Sequence, residues 1–298
     1  MKPVVFACMA QPGEAAHEAL LLARSIRHFA GSMAGSLIWV LFPQDRVNFQ
    51  PQVAAACQAL DVRLMPFALS AALRDFPFAA KTVAAGRAEA AAAEASANLV
   101  WMDRPSLVLQ EPLALRLPPG KVLAYRPVDH TLIGSRIADP LDDFWALVYR
   151  LCAVPAERVF PMITSVDEQK IRPYFNAGLL LVRPEQQLLR SWADNFARLV
   201  HHPSFAPFFE KDFLYRIFVH QALLAGTILA RCAPGALQLL PPLINYPLHM
   251  HDSYPADQRP ARMNDIISCR YETFFQDSAW PDKIRIDEPL YTWLKEQR

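Results

Sequence analysis

The chain has 298 residues, 53% of them hydrophobic and 20% charged, with 30 basic against 29 acidic side chains. That composition excludes a disordered chain, the length is enough to bury a sizeable core, and a formal net charge of +1 gives no global attraction for nucleic acid or anionic lipid. Five scattered cysteines without CxxC spacing exclude a disulfide framework and a zinc knuckle, and are expected as buried free thiols.

Val4 to Met9 reads as a first strand, and Gln11-Pro12-Gly13 as a turn into a helix from Glu14 to Phe29 with Ala16, Leu20 and Ala23 at helical spacing. Leu37 to Phe42 is a second strand, Pro51 to Leu60 a helix and Val62 to Phe67 a third strand. Phe78 to Ala97 is a long alanine-rich helix with Lys81, Arg87, Glu89 and Glu94 expected on its exposed side. Ala97 to Met102 is a short apolar run ending at the acid Asp103, which reads as a buried strand delivering a carboxylate to a sheet edge. Alternation of strand and helix over the first hundred residues implies parallel pairing with right-handed crossovers.

Val122 to Val128 is a further strand with Arg126, Asp129 and His130 near its end, and Asp142 to Cys152 a helix. Tyr174 to Pro184 reads as a strongly apolar strand interrupted by Asn176 and Gly178, in a chain with only 9 glycines. Glu185 to Val200 and Tyr215 to Leu229 are helical, Asp265 to Cys269 is strand-like, and Trp145, Trp192, Phe205, Phe208 and Phe209 are assigned to the core. One apolar run is too short for a signal peptide and none approaches membrane-spanning length, so the expectation is a cytoplasmic protein with no transmembrane segment.

Four segments together resemble glycosyltransferases of the GT-A, nucleotide-diphospho-sugar transferase fold. Leu99 to Val108 is similar to that family's strand and DxD motif, with Asp103 at the first acid, Arg104 between, Pro105 at the second acid and Ser106 at the following hydroxyl. Phe175-Asn176-Ala177-Gly178 resembles its Phe-Asn-Ser/Ala-Gly strand, His220-Gln221 its Asp-Gln helix, and Leu240 to His249 its closing segment, and all four fall in the family's order. The resemblance implies an α/β, Rossmann-type three-layer sandwich with a mixed, mostly parallel sheet. It also implies a single domain over residues 1–298, with a nucleotide-binding half (1–130) and an acceptor-side half (131–298).

The same resemblance implies transfer of a sugar from a nucleotide-sugar such as a UDP-sugar to an acceptor of unknown kind, with retention as in the glycogenin-like members. Asn176 and Gln221 then face donor sugar and acceptor, Gly178 allows close approach and Asp103 lies at the diphosphate, with Lys81 and Arg104 the nearby basic residues in sequence that could contact it. A manganese ion would be held by Asp103 and His249, with His251 as the alternate histidine. Pro105 carries no side-chain oxygen, so one family ligand for a hard cation is missing here. Two further readings therefore stand beside the manganese enzyme: a degenerate binding protein, and a metal-independent transferase in which Arg104, Lys81 or Arg87 neutralises the leaving diphosphate.

Overall fold

The computed structural model describes residues 2–10, 14–44 and 50–297, and the turn expected at Gln11-Pro12-Gly13 lies outside them. The first half alternates strand and helix: β1 (Val4–Met9), α1 (Glu14–Phe29), β2 (Leu37–Pro43), α2 (Pro51–Ala59), β3 (Val62–Phe67), α3 (Ala79–Glu94) and β4 (Asn98–Met102). β1 pairs in parallel with β2 and with β4, and β2 with β3, as short strand-helix-strand units require. β5 (Ser106–Val108) leaves this sheet immediately after the Asp103 turn, and β6 (Leu123–Pro127) returns to it.

The second half adds α4 (Asp143–Cys152), the short hairpin β7 (Met162–Ile163) and β8 (Lys170–Ile171), then β9 (Phe175–Val182), α5 (Leu188–Leu199), α6 (Ala206–Lys211), α7 (Phe213–Arg231) and β10 (Leu237–Leu239). β11 (Tyr246–Pro247), β12 (Ser268–Arg270), α8 (Trp280–Lys283) and α9 (Leu290–Gln297) complete it. Among the described residues, seven strands form one sheet in the order β10-β6-β9-β4-β1-β2-β3, in which β9 runs antiparallel to both neighbours. A second sheet, β11-β12-β5, stands beside it. Every residue of β4 and β9 is buried, because helices cover both faces of the sheet and leave no solvated side to alternate toward. The result is the expected three-layer α/β sandwich with a mixed, mostly parallel sheet.

Two expectations are corrected. Lys81 and Glu89 are not on a solvated face: they are 6% and 0% exposed. An alanine-rich helix carries little polar contrast to reveal its buried side, and here α5 covers Glu89, whose Oε2 accepts from the Arg190 backbone N–H at 2.8 Å. Second, α7 is long and apolar enough, by length and composition, to cross a bilayer. It packs against α4, α5 and β9, with Val219 and Ala222 to Leu229 buried. All five cysteines are buried free thiols.

Candidate active site

Strand direction assembles the site. β4 and β9 are antiparallel with Met102 opposite Leu179, so the carboxyl end of β4 meets the amino end of β9, and the Asp103 N–H donates to the Gly178 carbonyl at 2.7 Å. β6 lies on the other side of β9 and ends at the same edge, which brings Asp129 and His130 beside Asn176. β5 pairs with β12, placing Arg270 opposite Ser106, so the second sheet supplies a guanidinium to the turn that Asp103 starts. α3 and α7 close the remaining side with Phe78, Lys81, Phe218, His220 and Gln221. A cavity of about 260 Å³ lies between them.

Two ion pairs span it. The Lys81 ammonium sits on Asp103 Oδ2, with the lysine side chain 7% and the aspartate 28% exposed. Arg270 Nη2 pairs with Asp129 Oδ2, both side chains being nearly buried. Arg270 Nε is buried and has no partner among the described residues. The Asn176 Oδ1 accepts from the Gly178 N–H at 2.7 Å, which turns its Nδ2 toward Asp129 at 3.5 Å. A Cβ on Gly178 would stand 2.8 Å from Asn176 Oδ1 and 3.1 Å from Arg270 Cδ, so this glycine makes room for the site's own side chains.

Burial, then the charge of Lys81, holds the His220 imidazole well below its ordinary pKa. A neutral ring therefore stacks on Phe78 at 4.3 Å between centroids. Phe78 caps α3 in the left-handed region (φ 60°), unusual for a bulky residue, and is 44% exposed at the cavity rim opposite Leu132. Glu272, also left-handed (φ 39°), has its carboxyl pushed up by burial, against the pull of Arg270 and with the help of Asp103 and Glu18. A charged cleft with a stacked aromatic and strained backbone has the character of a binding site.

Residues 6–214 match the Rhodobacterales glycosyltransferase domain. The chain belongs to that glycosyltransferase family. Lys81, Asp103, Asp129 and Asn176 lie within the matched segment. No curated protein matches the chain. Similar solved structures include the bifunctional glycosyltransferase WbbM, at 13% identity and a TM-score of 0.49 over 100% of this chain and 52% of that one. They also include galactosyltransferase LgtC in complex with donor and acceptor sugar analogs, at 13% identity and 0.47 over 90% and 86%. Mouse xyloside xylosyltransferase 1 is 12% identical with a TM-score of 0.44 over 96% and 94%. The chain thus spans about half the length of WbbM.

In this member of the family the cavity brings together Lys81, Asp103, Asn176, Gly178 and Gln221 from the sequence-derived set. Arg104 points elsewhere: its Nε donates to the Met9 carbonyl at 3.0 Å and its Nη1 to Glu18 at 2.8 Å. His249 hydrogen-bonds the Arg270 backbone while its Nδ1 has no partner among the described residues, and burial followed by the Arg270 charge lowers its pKa. His251 is held by Tyr246, hydroxyl to Nδ1 at 2.9 Å. Among the described residues no group of three or more His, Cys, Asp or Glu is placed to hold a metal ion. Asp103 carries an ammonium where a metal would bind, so the donor set does not fit manganese.

Arg270, Glu272 and Phe78 escaped the sequence reading. Arg270 belongs to a strand that matched nothing familiar, and its role arises only when that strand pairs with β5. Asp129 and His130 stood at a strand end, a position that marks ligand-facing residues in α/β sheets.

Proposed function

We propose that the cavity binds a nucleoside-diphospho-sugar and that the chain transfers the sugar to a hydroxyl of a second substrate. The observation that carries this reading is the family's sheet edge furnished with unsatisfied polar capacity: the Arg270 Nε lacks a partner and Lys81 has protons beyond the one on Asp103. Both are fixed cations, which a departing diphosphate needs and which cost little reorganisation as charge develops. Asn176 Nδ2, with its amide orientation set by Gly178, and Gln221 are the neutral donors and acceptors suited to sugar hydroxyls. Phe78 and Leu132 give the rim an apolar surface for the face of a sugar ring.

The reading is tested by melting the protein against UDP-, GDP-, CDP- and ADP-sugars. A donor at one hundred times its dissociation constant stabilises by about 2.7 kcal/mol. Stabilisation by one donor class, lost in Asn176→Ala or Gln221→Ala, is expected, and coupled assay of released nucleoside diphosphate then measures turnover. No shift with any donor overturns the reading and leaves the degenerate binding protein.

A further inference from the structure

At the end of β4, the position where the resemblance calls for a divalent metal, the structure instead holds an organic cation. Lys81 projects from the second residue-pair of α3 onto Asp103, and its side chain is almost wholly removed from water. A lysine so buried is costly unless paired, and it is uncommon on a solvated helix face. Phe78 passes beneath it, with Nζ 5.5 Å from the ring centroid, and the neighbouring His220 is neutral. The second acid of the motif is missing. Pro105 brings no side-chain oxygen and its carbonyl accepts from the Tyr271 N–H at 3.1 Å. Arg104, the other cation of the motif, is tied to Met9 and Glu18 and does not reach Asp103's carboxylate.

Resting on the reading of this cavity as the donor site, we propose that the Lys81 ammonium, held by Asp103, takes the place of the divalent metal ion, so that the chain binds a nucleoside diphosphate and releases it from the sugar without metal. A divalent cation brought to Asp103 would meet this ammonium at contact distance and be repelled by it. In the transfer, the bond between the anomeric carbon and the diphosphate oxygen breaks and its electron pair leaves on the diphosphate. The acceptor hydroxyl oxygen bonds to the anomeric carbon, and its proton passes to the departing diphosphate. Lys81 keeps all its protons and supplies only charge, beside the unpartnered Nε of Arg270. Asp103 orients the lysine and ligates nothing.

The test is calorimetric titration of UDP, GDP, CDP and ADP into the protein, in chelator and in manganese. The diphosphate that binds is expected to do so with affinities within about threefold in the two media, a difference well under 1 kcal/mol. Lys81→Met weakens binding by about tenfold or more in both, corresponding to roughly 1.4 kcal/mol, and Lys81→Arg restores most of it. Asp103→Asn changes binding by the same factor in chelator and in manganese, because the carboxylate holds the lysine and ligates no metal. Melting each variant separates loss of fold from loss of affinity, and Asp103→Asn alone decides the matter if Lys81→Met does not fold. Binding that requires manganese, or that Asp103→Asn weakens only in manganese, overturns the proposal and leaves the donor site intact. Binding in neither medium overturns both.

Discussion

The two ion pairs facing each other across the cavity are alike in chemistry and unlike in setting. Arg270–Asp129 is enclosed on both sides, 13% and 12% exposed, with Gly178 and Asn176 packed against it. In Lys81–Asp103 the cation is buried and the carboxylate is 28% exposed. Desolvation makes the first pair a structural commitment, because losing either member strands a charge that water cannot reach. The second leaves its carboxylate partly hydrated, so its cation can be lent to a ligand at small cost. Both pairs offer a cation to the site, and the first also braces its wall.

The sharpest way to break this comparison is to remove each cation in turn. Arg270→Met is expected to cost about 3–5 kcal/mol, read as a shift of the urea midpoint, since Asp129 is left buried and unpaired. Lys81→Met should cost about 1 kcal/mol, because Asp103 keeps part of its hydration, while nucleoside diphosphate affinity falls far more than stability does. Equal stability losses would erase the distinction. Gly178→Ala should lie between, at about 1–3 kcal/mol, because its new methyl displaces Asn176 and Arg270 together; the effect should largely vanish in an Asn176→Ala background.

Acidity sharpens the comparison further. His220, His249 and His251 all have pKa values lowered from 6.5, each with burial as the first cause. Between those lowered values and 6.5 the unfolded chain binds more protons than the folded one, so folding stability rises with pH. The histidine contribution is therefore complete above about pH 6.5 and is lost as pH falls below it. His220→Asn, beside Lys81, should flatten the fall in urea midpoint between pH 7.5 and 5.5 more than His249→Asn does. The smallest effect is expected at the exposed pair Lys2–Glu185, 3.1 Å apart: Glu185→Gln should change stability by less than about 0.5 kcal/mol.

Much of this fold was legible along the chain. Val4–Met9, Glu14–Phe29 and Val62–Phe67 have the bounds that apolar periodicity and turn residues indicated, since short apolar runs between helical segments leave a strong local signal. Asp103, Asn176, Gly178 and Gln221 were named because the resemblance tied them together; strand pairing puts the first three at one edge and α7 brings Gln221 to the same cavity. Lys81 was named as a diphosphate contact but expected on a solvated face. Its burial depends on which side of a nearly uniform alanine helix meets Asp103, and that periodicity alone does not say.

What the sequence determined by itself was the α/β architecture, the acid at the end of β4 and the absence of a second acid at Pro105. The tertiary structure decided the charges around that acid. It brought Arg270 from about 140 residues beyond Asp129 to pair with it, turned Arg104 away to Glu18, and set Lys81 where a metal was expected. Ion pairs across long sequence separations follow from strand register and helix rotation, and these are properties of the packed chain as a whole.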